Sequence, residues 1–140
     1  MYSQGFAAGA SAYARVGVQT GVMGASPHRL IVLLYQGARQ SIAQARMYLQ
    51  QNNIGTRSAA VSKAMNIIQS GLQAALNKEA GGEIAQRLDA LYSYMTSRLF
   101  EANAQQDEAM FVEVDNLLAT LEEAWVGIEP EVAKMAATTV

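Results

Sequence analysis

A chain of 140 residues with ten Lys and Arg, twelve Asp and Glu and a single His carries a net charge of −2 at neutral pH. One domain of that size buries roughly 68–70% of the surface its unfolded chain exposes, and a near-neutral balance provides no basic footprint for nucleic-acid phosphates or an anionic membrane. With no Cys there is no disulfide framework, thiolate metal site or cysteine nucleophile, which points to a reducing compartment, the cytoplasm.

Residues 1–25 are rich in Gly, Ala, Ser and Gln, with single large residues such as Phe6, Tyr13, Val16 and Val18 set between small ones. They lack the basic start and unbroken apolar run of a secretory signal, and they read as a mobile arm. Ser26 then offers a capping hydroxyl, and Pro27 a preset φ at the first helical position. From there Ile31, Leu34, Tyr35, Ala38, Ile42, Ala45 and Leu49 recur at steps of three and four, predicting a first helix with one inward stripe.

QNNIGT at 51–56 makes a turn. A second helix from about Thr56 carries Val61, Ala64, Met65, Ile68, Leu72, Ala75 and Leu76, and Gly81-Gly82 is expected to end it. A third, about Glu83 to Ala102, presents Ile84, Leu88, Leu91, Tyr92, Met95 and Leu99, with Asn103 as its left-handed terminator. Asp107 caps a fourth with the stripe Met110, Val114, Leu117, Leu118, Leu121 and Trp125, closed by Gly127, Ile128 and Pro130. No run reaches the roughly 20 apolar residues of a membrane span.

These signals predict an all-α fold, an antiparallel up-down four-helix bundle over 26–128, with a mobile N-terminal arm at 1–25 and a frayed tail at 129–140. Enzyme chemistry finds little support. His28 reads as an exposed turn residue, and the inward Glu-x-x-His pairs of a di-metal bundle are absent. Glu122 and Glu123 are helix neighbours that do not face each other and read as solvated surface. Gly81-Gly82 lacks the strand and spacing of a phosphate loop. Neither a cofactor nor a metal is expected.

Apolar residues outside the stripes are more informative. On a wheel of about 100° per residue, Val32 and Leu33, Ile67, Phe100 and Val112 fall away from the inward face of their own helices. Together with an arm bearing spaced apolar anchors, they suggest outer grooves that bind an extended or helical peptide. The arm would rest there until a partner arrives.

Two blocks carry a family resemblance. "GASPHRLIVLLYQGA", residues 24–38, is similar to the pattern TASP-x-x-L…LYDGA, and "GGEIAQRLDALYSYMTSRLFEAN", residues 81–103, follows the same family nearly along its length. The chain thus resembles the flagellin-specific export chaperones, the FliS family, from about Tyr13 to Trp125. The resemblance implies a non-enzymatic cytoplasmic chaperone. It would hold the disordered C-terminal segment of flagellin, prevent premature polymerisation and dock on the export gate component FlhA.

Carried over by position, Tyr13 is the arm's aromatic anchor, Ser26 and Pro27 set the first helix, and Tyr35 packs near the groove. Gly81 and Gly82 form a turn, and Tyr92, Tyr94, Arg98 and Asn103 match the second block. Tyr92 lies on the inward stripe, whereas Tyr94 lies farther round and is the better contact. Arg98, at the stripe's edge, can cover apolar surface with its stem while its charge reaches a carboxylate. Gly24 replaces the usual Thr, and Gln36 the usual Asp of the first block. The expected flagellin-binding set is Tyr13, Val32, Leu33, Tyr35, Ile67, Tyr94, Arg98, Phe100 and Val112. The rival reading is a homo-oligomeric adaptor or structural bundle that buries the same residues against its own copies.

Overall fold

The computed structural model describes residues 26–128; the expected arm, with Tyr13, and the expected tail lie outside the described residues. Four helices and no strand occur among the described residues: α1 (Pro27–Gln50), α2 (Ile54–Asn66, continued by a π-helical segment Ile67–Gln73), α3 (Lys78–Gln105) and α4 (Glu108–Gly127). A short polar side chain starts each one. Ser26 Oγ accepts from the Arg29 N–H at 3.0 Å, Asn53 Oδ1 from Thr56 at 3.3 Å, Asn77 Oδ1 from Ala80 at 3.1 Å and Asp107 Oδ1 from Ala109 at 3.0 Å. Each cap satisfies a donor the first turn leaves open and contributes about 1 kcal/mol.

Connections this short force each helix back along its predecessor, and α4 closes the ring against α1, giving the antiparallel up-down bundle. The centre is filled by Leu34, Ile42, Ile67, Ile68, Met95, Leu99, Phe111 and Leu118. Burying each of these large side chains stabilises the fold by about 1.5–3 kcal/mol before entropy is counted. On the diagonal, α1 and α3 meet through the hydroxyls of Tyr35 and Tyr92, 2.6 Å apart.

Several boundaries differ from the sequence expectation. Gly81-Gly82 does not end the second helix: α2 stops at Gln73, and Asn77 caps a new turn that runs into α3 across Gly82, at φ 56° and ψ −132°. Ile84, just past that break, is 72% exposed rather than part of the inward stripe. Nor does Asn103 terminate α3, which continues to Gln105 and ends on Gln106 at φ 55°. Asn103 is instead held by Arg57 of α2, whose Nε donates to its Oδ1 at 2.7 Å.

His28 is buried, not exposed. Its ring stacks on that of Trp125 at 5.2 Å and 9°, its Nε2–H donates to the Trp125 carbonyl at 2.7 Å, and the Trp125 indole N–H donates back to the His28 carbonyl at 3.1 Å. Because a carbonyl only accepts, the proton sits on Nε2. This reciprocal pair fastens the start of α1 to the end of α4.

Candidate functional site

Polar cross-links tie three of the four helix seams. Between α1 and α4, Arg39 reaches Asp115 and Glu122, both at 2.9 Å, and Arg46 reaches Glu108 at 3.5 Å. Glu122 is therefore a half-buried ion-pair partner and not the solvated residue expected, because Arg39 and Gln36 both project onto it. Gln36 donates to that carboxylate at 3.3 Å. An Asp at 36 would face Glu122 as a like charge, so glutamine suits this chain.

Between α2 and α3, Gln73 donates to the Asp89 side chain and to Ser93 Oγ, both at 2.9 Å, and the Arg57–Asn103 contact closes the other end of the seam. Between α3 and α4, Arg98 binds Glu113 at 2.8 Å and lies over the Tyr94 ring at 5.9 Å, while the Tyr94 hydroxyl donates to the other Glu113 oxygen. The Tyr94 and Arg98 contacts hold the Glu113 carboxyl below its ordinary range, and the Glu113 carboxylate raises the Tyr94 hydroxyl in return. Tyr94, Arg98 and Glu113 thus form one brace on the outside of the α3–α4 seam, with the edge of the Tyr94 ring still open to solvent.

The residues expected at the binding surface separate into two groups. Phe100 is 68% exposed and Tyr94 42% exposed, both on the outside of α3, and Arg98, Leu33 and Val112 are half-buried. Val32 and Ile67, by contrast, are 1% and 0% exposed, which corrects their assignment to the outer surface. Val32 lies one turn from both His28 and Gln36, each of which contacts α4, so the α1 flank that bears it is covered. Ile67 stands three residues after Ala64 and seven after Ala60, both buried, on the flank of α2 that meets α1, and a Cβ at Gly37 would lie 3.5 Å from its Cδ1. Tyr35 is buried on Tyr92. Of the expected residues, Phe100, Tyr94 and Arg98 on α3, Val112 on α4 and Leu33 on α1 lie outside the buried core.

Sequence reasoning did not single out Met47 or Ile54, which are also exposed. It missed Phe111 as well, the largest fully buried side chain. Phe111 stands three and seven residues before Val114 and Leu118, a helical spacing that could have found it. Among the described residues no cluster of His, Asp and Glu could hold a metal, and no helix is long and apolar enough to cross a membrane.

The described chain is therefore a helical bundle with a filled interior and its conspicuous apolar side chains on the outside. The model of the family described as "Flagellar protein FliS" matches residues 9–132. The flagellar secretion chaperone FliS of Salmonella typhimurium is 46% identical over 125 residues, 89% of this chain and 93% of the relative. Flagellar secretion chaperone FliSB of Pseudomonas aeruginosa is 43% identical, covering 83% and 91% of the two chains, and FliS of Bacillus subtilis is 32% identical, covering 76% and 78%. The chain belongs to the FliS family.

Proposed function

We propose that the protein is a cytoplasmic flagellar export chaperone that binds the disordered C-terminal segment of flagellin, keeps it from polymerising before export and presents it to the export gate component FlhA. The observation that carries this reading is Phe100, 68% exposed on a bundle whose interior is already filled. A single exposed aromatic is ordinary on a protein surface, and Phe100 gains its weight from the chain's likeness to flagellar secretion chaperones. Tyr94 and Arg98 on the α3–α4 seam, Val112 on α4 and Leu33 on α1 stand apart from Phe100, as contacts for a segment that wraps around the bundle would, and Tyr13 supplies the arm's anchor. The buried Tyr35, Val32 and Ile67 act from beneath by fixing the helices that present the others. The protein holds its cargo and does no chemistry on it. Ordering a disordered segment on this surface lowers its affinity per unit area, which suits a cargo that must leave.

Calorimetric titration of the full chain with a peptide covering about the last 40 residues of flagellin from the same organism, some two helices' worth, tests the proposal. One-to-one binding with a large negative heat-capacity change is the expected result. No binding, with the protein self-associated, would favour the homo-oligomeric bundle instead.

A further inference from the structure

The chain is divided by charge. Residues 1–77 contain no Asp or Glu but six cations, Arg15, Arg29, Arg39, Arg46, Arg57 and Lys63; residues 78–140 hold all twelve acids against four cations, a net of −8. In the bundle this places every described carboxylate on α3, α4 or their caps and leaves α1 and α2 without one.

The cations of the acid-free half are not equally committed. Arg39 and Arg46 are taken up by Asp115, Glu122 and Glu108 of α4, and Arg57 is buried with its guanidinium on Asn103. Arg29, one turn before Leu33 on α1, is exposed and has no carboxylate within ion-pair distance, and the same is true of Lys63 on α2. Lys63 stands one turn before Ile67, the residue that meets Gly37 of α1, so it projects on the α1 side of α2. Along the neighbouring strip of α1 run Leu33, Gln40, Gln44 and Met47, at steps of seven, four and three, half-buried or exposed and uncharged. No polar cross-link ties this seam, unlike the other three, and its helices approach closely at Gly37 and Gly71.

We infer that the outer face of α1 and α2 docks an acidic amphipathic segment of the cargo, with its apolar residues over Leu33 and Met47 and a carboxylate at Lys63. The inference rests on reading the chain as an export chaperone for flagellin. Charge complementarity selects this occupant: a cation on a face with no acid attracts a carboxylate and repels a basic segment. Leu33 and Met47 are 14 residues apart, about 21 Å along the helix, or four turns of a docked helix. Apolar contacts at the two ends with a charge between them set both position and register.

The probe is the same flagellin peptide, titrated into the full chain at about 0.05 M and about 0.5 M salt, where the screening length falls from roughly 14 Å to 4 Å. Lys63→Glu is expected to weaken binding roughly three- to tenfold at low salt, Lys63→Gln less, with the gap closing at high salt. Melting temperatures should not move, since Lys63 is exposed and holds no ion pair. If Lys63→Glu binds as tightly as the wild type at low salt while Phe100→Asp does not, the inference falls and the cargo sits on the other face. If the wild type itself binds no peptide, the chaperone reading falls and takes this inference with it.

Discussion

Two hydroxyls in the middle of a hydrophobic core need each other. Tyr35 and Tyr92 are 3% and 2% exposed, and burial pushes both hydroxyls up, Tyr92 far above the ordinary tyrosine range, so both remain protonated donors at any relevant pH. Removing one oxygen leaves the other without its partner, at a cost of about 1–3 kcal/mol. Tyr35→Phe and Tyr92→Phe should each lower stability by that order in chemical denaturation. The double variant should lose less than the two single losses combined, and strict additivity would show that the pair does not act as a unit.

The Glu113 brace titrates. Its carboxyl pKa is lowered in the folded state, by the Tyr94 hydroxyl first and by Arg98 second. Its stabilisation is therefore present above the unfolded carboxyl value and lost as pH falls through the lower folded one. Glu113→Gln should accordingly be less stable than the wild type at pH 7, with the gap narrowing below about pH 4 as the wild-type carboxylate protonates. The side chain is 36% exposed, so the effect is modest, and a gap that does not depend on pH would count against the brace.

At the scale of elements, two glycines do what no other residue could. A Cβ on Gly71 would lie 2.9 Å from Leu34 Cδ2, in the seam between α1 and α2. Gly71→Ala should destabilise the bundle by about 1–3 kcal/mol, because Leu34 is fully buried and has nowhere to retreat. Gly82 occupies a backbone conformation open only to glycine, and Gly82→Ala should cost about as much through strain. Thermal melts of the two variants measure both effects.

Much of this was legible beforehand. Ser26 and Asp107 marked helix starts because capping is local chemistry, and Leu34, Ala38, Ile42 and Ala45 marked a core stripe because helical spacing is local geometry. What misled was context. A single stripe underestimates a helix that touches two neighbours, so Val32 was assigned outside. The same holds for Ile67, which shares with the buried Ala60 and Ala64 the flank of α2 that meets α1. Asn103 was read for its own backbone when its side chain serves Arg57 on another helix. Of the proposed binding surface, the exposure of Phe100 and Tyr94 is readable because α3 is regular where they stand, whereas Lys63 stands out only once the acids are seen to collect on the opposite helices.

For the whole molecule, a filled core and an apolar exterior separate stability from binding. Phe100→Asp removes an aromatic ring that the fold barely covers. Its stability should stay within about 0.5 kcal/mol of the wild type, while flagellin-peptide affinity in the titration described above should fall at least tenfold, the order of a contact-centre aromatic. The reverse ordering would mean that the ring belongs to the core.

The His28–Trp125 pair brings the two ends of the described chain together at one corner of the bundle. A pull applied through both ends of the described chain therefore does not stretch the bundle along its axis, where whole seams would have to slide at once. It opens α1 from α4 like a zipper, first the stacked rings, then Glu122 from Arg39, then Asp115, then Glu108 from Arg46. The mechanical strength of the molecule is that of one link at a time, and its single tryptophan sits on the first link to go.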